Sequence, residues 1–139
     1  TTPSGSVTPV DNFKIGQAGN VIAVNPTGGL GYGTGAGGTV TQATSKATGV
    51  TLNKVTGQIT LNAAALAADA IVSFVLTNSA IAATDLLLIN HVSVGTFGAY
   101  TFNARCAAGS ATIDVANRST GSLSEAIVIS YAVIKAVTA

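Results

Sequence analysis

The stretches AIVSFVLT (residues 70–77) and AIVISYAVIKAV (residues 126–137) decide the fold class. Both alternate with a period of two residues, which is the repeat of a β-strand. Alternate positions place Val72, Phe74 and Leu76 on one face of the first stretch, and they place Ile127, Ile129, Tyr131 and Val133 on one face of the second. The opposite faces, which begin at Ile71 and Val128, are also partly apolar. We therefore predict two strands that are shielded from water on more than one side.

Further short stretches rich in Thr, Val and Ile are predicted strands, separated by Gly, Asn, Ser and Thr clusters. They cover residues 39–44, 50–55, 58–61, 86–94, 100–103 and 112–115. Thr56-Gly57 is predicted to be a tight hairpin turn in a meander. The alanine-rich segment 62–70 is the one candidate helix, with Asn62 as its cap. The pattern as a whole predicts an all-β chain, folded as an antiparallel β-sandwich or jelly roll.

The first 38 residues differ in texture from the rest. Residues 1–12 are rich in Thr, Pro, Ser and Gly, and residues 28–38 (GGLGYGTGAGG) are dominated by glycine. Glycine loses the most backbone freedom on folding, so neither stretch is ordered by its own propensity. One short strand is predicted at residues 21–24. We interpret residues 1–38 as an extended Gly-rich N-terminal arm and residues 39–139 as a β-sandwich domain.

Charged residues are scarce. They make up 8% of the 139 residues, compared with about 25% in typical soluble domains, whereas hydrophobic residues make up 47%. Too few charges remain to cover the surface of a monomer, which indicates burial against other subunits. The charges form no run that would indicate nucleic-acid binding, and no apolar stretch is long enough to predict a membrane span.

Two residue patterns in the sequence could indicate cofactor binding or catalysis. Gly33, Gly35 and Gly38 match the spacing of a dinucleotide-binding loop, but a strand-like segment follows them where the chemistry needs a helix N-terminus. His91, the only histidine, could form a triad with Asp85 or Asp114, yet no nucleophile elbow accompanies it. We expect His91 to be a core or interface residue, and we predict no catalytic or cofactor-binding residue.

The remaining reactive groups suggest no site either. One histidine and one cysteine cannot form a zinc site, so we predict no metal. Cys106 is expected to be a small core residue. A glycosidase would need two of the carboxylates Asp69, Asp85, Asp114 and Glu125 brought together, and nothing in the sequence favours this. Asn117-Arg118-Ser119 fits a glycosylation sequon, which we attribute to chance.

Three strings are too unusual to be generic β-patterns: GGTVTQATSKATGVTLN (residues 37–53), FVLTNSAIAATD (74–85) and SLSEAIVI (122–129). With their surroundings, over about residues 33–136, they resemble a recurrent β-domain in virion proteins of tailed bacteriophages. The resemblance implies a capsid decoration (cement) protein, a head fibre or a tail-fibre domain without enzymatic activity.

A decoration protein would contact itself, as a homodimer or homotrimer, and the major capsid protein. It would be made in the host cytoplasm, and a single cysteine, which cannot form an intrachain disulfide, fits that reducing compartment. In the virion it would reside on the capsid surface. A fibre or receptor-binding domain is the alternative, with a groove formed by residues such as Tyr32, Tyr100 or Tyr131. A small hydrolase would need His91 in a pocket beside an acid and a nucleophile.

Overall fold

The computed structural model describes residues 30–138, and the chain from Tyr32 onward forms one compact unit. The described residues contain eight strands and no helix. The strands are β1 (Thr39–Thr41), β2 (Val50–Thr51), β3 (Thr56–Thr60), β4 (Ile71–Thr77), β5 (Leu86–Ser93), β6 (Tyr100–Ala107), β7 (Ser110–Asn117) and β8 (Val128–Ile134). The all-β prediction is confirmed.

The strands form two sheets of four. The first sheet has the order β1-β3-β8-β5 and the second has the order β2-β4-β7-β6. The predicted antiparallel pairing is correct for β3–β8, β4–β7, β5–β8 and β6–β7. It is wrong for β1–β3 and β2–β4, which are parallel, so both sheets are mixed.

One hydrophobic core lies between the two sheets. The first sheet contributes Ile59, Ile129, Tyr131 and Val133, and the second contributes Phe74, Leu76, Ile113 and Val115. All of these are almost fully buried. The two-residue alternation predicted correctly which residues of β4 and of β8 share a face, and the structure shows that the faces with Phe74 and Tyr131 point inward. Cys106 packs against the same core as expected.

Two local predictions are wrong. Residues 62–70 form no helix; Leu66 makes an isolated antiparallel bridge to Leu123 instead. Thr56-Gly57 is not a hairpin turn, because it begins β3, and β2 belongs to the other sheet. Gly57 is needed there for space, since a Cβ would lie 2.7 Å from the carbonyl oxygen of Gly38 and 2.7 Å from Leu52 Cδ2.

Buried polar side chains fix the connections between strands. Gln42 Nε2 donates to the carbonyl oxygens of Lys46 (3.0 Å) and Thr48 (2.8 Å), and Gln42 Oε1 accepts from the amide of Asn62. Lys46 Nζ donates to the carbonyl oxygens of Asn62 (2.5 Å) and Glu125 (2.7 Å). Burial lowers the pKa of Lys46. These bonds satisfy buried carbonyl groups that no strand pairs, and so they hold the β1–β2 connection in place.

The glycine-rich segment before β1 is partly described. The Tyr32 hydroxyl donates to the carbonyl oxygen of Val133, and the carbonyl oxygen of Gly38 accepts from the amide of Gln58 at 2.9 Å. Residues 32–38 therefore contact the first sheet. The predicted strand at residues 21–24 and most of the predicted arm lie outside the described residues.

Candidate interaction surfaces

None of the strand residues that the structure describes on the outer face of the first sheet is ionisable. We call this outer face the uncharged face. The strand registers place twelve residues on it: Thr39 and Thr41 of β1, Thr56, Gln58 and Thr60 of β3, Val128, Ser130, Ala132 and Ile134 of β8, and Leu86, Leu88 and Asn90 of β5. These positions alternate with the core residues of the same strands. The shortage of charge seen in the sequence is thus evident on this surface.

The β5–β8 half of the uncharged face is mostly apolar, with five apolar residues among its seven. Leu86 lies opposite Ile134 and Leu88 lies opposite Ala132 across the β5–β8 pair. Leu86, Leu88 and Ile134 are 58%, 57% and 44% exposed. Apolar surface left in water costs about 25 cal/mol per Å² relative to burial, so this half gains stability from any partner that covers it.

The outer face of the second sheet, which we call the charged face, carries one ion pair. Arg105 of β6 donates to both oxygens of Asp114 on β7, at 2.5 and 3.1 Å, and the Ser73 hydroxyl on β4 donates to Asp114 at 2.6 Å. The hydrogen bonds from Arg105 and Ser73 lower the pKa of Asp114, and the same ion pair raises the pKa of Arg105. This face therefore differs from the uncharged face by one ion pair, and it also exposes the apolar residues Ile71 and Val75.

A shallow depression of about 240 Å³ lies on this charged face. Its lining comprises Ile71, Thr101, Phe102, Asn103, Asp114, Ala116 and Arg118. Arg118 makes only a long contact inside it, from Nε to the Thr101 hydroxyl at 3.4 Å. The depression offers donors and an acceptor around an apolar floor, which is the composition of a small polar ligand site.

Tyrosines do not build a groove at an exposed end of the described chain. Tyr100 and Tyr131 are buried in the core, where burial raises the pKa of Tyr131 to about 12. The Tyr131 hydroxyl donates to the carbonyl oxygen of Lys54 at 3.0 Å. Tyr32 is partly exposed, and its hydroxyl bonds to Val133. The two core residues were indistinguishable in sequence from surface aromatics because Tyr suits both environments.

No protein-family model, curated protein or solved structure matches the chain.

His91 lies in β5 and anchors the loop that follows it. Its Nε2 donates to the carbonyl oxygen of Val94 at 2.6 Å, and its ring stacks on Phe97 with 4.4 Å between centroids. Since a carbonyl only accepts, Nε2 must carry a proton. Between residues 30 and 138 no hydrogen bond joins His91 to Asp85 or Asp114, which pair with Lys135 and Arg105. The structure therefore does not bring the imagined triad together.

Glu125 closes the same loop, a role that the sequence did not reveal. Its carboxylate accepts from the amide of Thr96 (3.0 Å), the Thr96 hydroxyl (2.7 Å) and the Tyr100 hydroxyl (2.9 Å). The hydrogen bonds from Thr96 lower the pKa of Glu125. Burial, reinforced by the hydrogen bond to Glu125, raises the pKa of Tyr100. Only the tertiary fold brings Glu125 to residues almost thirty positions earlier.

The loop held by His91 and Glu125 has an unusual backbone. Val94 has φ 61° and Gly95 has φ 80°, and a left-handed β-branched residue is rare. A Cβ at Gly95 would lie 2.5 Å from Ile127 Cγ2. His91 and Glu125 thus stabilise a strained connection between β5 and β6, which accounts for both side chains structurally.

The other candidate groups are dispersed. No group of three His, Cys, Asp or Glu residues suited to a metal occurs in the part of the chain that the structure describes. Burial raises the pKa of Cys106 above its ordinary value. Asn117 of the sequon is fully buried and donates to the carbonyl oxygens of Leu66, Ala67 and Gly121. Residues 30–138 include no helix that could span a bilayer.

Proposed function

We propose that the chain is a virion structural protein, most specifically a capsid decoration (cement) protein on the outside of an icosahedral phage head. The observation that carries the proposal is the uncharged face, whose β5–β8 half is mostly apolar and exposes Leu86, Leu88 and Ile134. A surface without charges binds through shape and apolar burial, as subunits of permanent assemblies do. The phage assignment rests on the sequence resemblance.

The size of the uncharged face favours a repeated assembly over a single pairwise complex. Four strands about 4.8 Å apart and about six residues long give a face of roughly 400 Å². A standard stable interface covers about 800 Å² on each partner. The face alone therefore gives a weak contact, and firm attachment needs several contacts made together. A lattice of capsid subunits supplies them.

In this proposal the chain binds the major capsid protein and copies of itself, and it does so without catalysis. The two sheets, which share one core, form a sandwich that serves as the rigid body. The part of the predicted arm that precedes Tyr32 would lie across neighbouring capsid subunits, because residues 32–38 contact the first sheet of the same chain. Many weak contacts distributed over the shell would then oppose the pressure of the packaged genome.

Immunogold electron microscopy of the phage that encodes the chain tests this function. Antibodies raised against the purified protein should label heads, and labelling should fall when Leu86 and Leu88 are both changed to Lys. The double change of Val75 and Thr77 to Lys, on the charged face, is the matched control and should leave labelling intact. Unlabelled particles would refute the proposal.

A receptor-binding fibre domain is the second candidate, and the depression on the charged face favours it. Asp114 is fixed by Arg105 and Ser73, while Arg118 and Asn103 present donors beside Ile71. Such a site suits one unit of a polyhydroxylated ligand, for instance a host surface glycan. Specific labelling of tails, or glycan binding that Arg118→Ala abolishes, would favour this function over the first.

A further inference from the structure

The outer edge of β5 stands apart from the other sheet edges of this fold. β5 pairs with β8 on one side, and no strand within residues 30–138 pairs with its other side. Its eight residues, Leu86–Ser93, include no charged residue and no proline. An edge of this kind presents unpaired backbone amides and carbonyls and is a template for another strand.

The three remaining edges carry the protections that natural proteins use. β1 has three residues and β2 has two, and short edges offer few hydrogen bonds. β6 is long, but Arg105 projects from it as half of an exposed ion pair. On β5 the only such protection is the register shift between His91 and Ser93, and Leu86–Asn90 pair with β8 in regular register. β5 is therefore the one long unprotected edge among the described strands.

The geometry points to a second copy of this chain as the occupant: β5 of one subunit pairs antiparallel with β5 of another across a two-fold axis. This inference rests on the proposed function, since it names the partner through which the subunit assembles. The first sheet of one subunit and the first sheet of the other then form one continuous sheet of eight strands.

Self-complementarity favours a second copy over an unrelated strand. A two-fold axis perpendicular to the sheet keeps outer residues on the outer side, so a register centred on Leu88 places the two Leu88 side chains together and Leu86 beside Asn90. No charge occurs at any of these positions, so no like charges meet. The apolar halves of the two uncharged faces also merge into one band along the β5–β5 interface, which we call the seam.

Sedimentation velocity on the full chain tests the seam. We expect a monomer–dimer equilibrium between about 1 μM and about 1 mM, because an edge pair buries less than a standard interface. Leu88→Lys should yield monomers throughout, since a lysine on an edge blocks pairing. Val75→Lys, at a position 44% exposed on the other sheet, is the control and should still dimerise.

A disulfide test reports the register directly. Leu88→Cys in a Cys106→Ala background should oxidise to a covalent dimer, because paired Cα atoms lie about 4.5–5.5 Å apart. Val75→Cys in the same background should not. Circular dichroism of each variant verifies that it is folded.

A wild-type chain that stays monomeric over the whole range, or a Leu88→Lys variant that dimerises as the wild type does, would overturn the inference. The two proposals fail separately. If the chain is monomeric but antibodies against it still label phage heads, only the β5–β5 pairing is refuted. If the chain dimerises but antibodies label no particle, only the decoration function is refuted.

Discussion

At the residue scale, Asn117 shows how much a single buried amide can determine. Its Nδ2 donates to three carbonyl oxygens, and its Oδ1 accepts from the amide (2.9 Å) and the hydroxyl (2.7 Å) of Ser119. In sequence the same residues look like a glycosylation site. In the fold the amide nitrogen is fully used, so a glycan could be attached only to an unfolded chain.

Replacing Asn117 by Ala should lower the free energy of unfolding by about 2–3 kcal/mol, because buried carbonyl groups lose their partner. Urea denaturation followed by circular dichroism measures the change. Asn103→Ala, on the exposed face of β6, is the control and should stay within about 0.5 kcal/mol of the wild type. Equal effects of the two substitutions would show that the Asn117 hydrogen bonds do not stabilise the loops.

At the element scale, the strands with two-residue alternation were predictable and their partners were not. β4, β5 and β8 lie within two or three residues of the predicted limits. The prediction of a turn at Thr56-Gly57 was wrong because Thr-Gly suits both a turn and a strand. Only the close approach of Gly38 and Leu52 explains why a glycine occupies position 57. The prediction of a helix over residues 62–70 was wrong because the helix propensity of alanine is a weak preference, and the tertiary pairing of Leu66 with Leu123 overrides it.

The ends of β5 and β8 are joined by an ion pair that should be visible in the pH dependence of stability. Asp85 accepts from the amide of Ala82 (2.8 Å) and from Lys135 Nζ (2.6 Å), and these bonds lower its pKa below the ordinary 3.8. The folded state therefore favours the ionised carboxylate. Its stabilisation is complete above the pKa of the unfolded chain and is lost as the pH falls through the lower folded value.

Asp85→Asn should consequently reduce the melting temperature most above about pH 5, and its difference from the wild type should shrink towards about pH 2. Thermal unfolding of both proteins across this range measures the effect. Lys135→Met should reproduce part of the loss at neutral pH, because the hydrogen bond from the Ala82 amide to Asp85 remains. A difference between wild type and Asp85→Asn that does not change with pH would contradict the assignment.

At the scale of the whole molecule, the compact unit begins before the first strand. Tyr32 and Gly38 both hydrogen-bond to the first sheet, so residues 32–38 contribute to its stability. The sequence indicated an arm up to residue 38 because glycine-rich segments lack propensity of their own. It could not show that two distant groups would hold the last part of that segment.

A fragment that begins at Gly31 should unfold cooperatively, since it retains the complete core. A fragment that begins at Thr39 should be less stable by about 1–3 kcal/mol, because it lacks the Tyr32 and Gly38 hydrogen bonds. Thermal and urea unfolding of the two fragments measure the difference. Equal stability of the two fragments would show that residues 32–38 do not stabilise the β-unit.

The sequence by itself determined the all-β class, which residues of β4 and of β8 share a face, and a surplus of uncharged surface, because residue periodicity and composition are local properties of the chain. The tertiary structure decided which strands are parallel, where the uncharged surface collects, and what Glu125, Asn117 and His91 contact. Those outcomes depend on residues far apart in the chain, whose encounter is set by the packing of two sheets around one core.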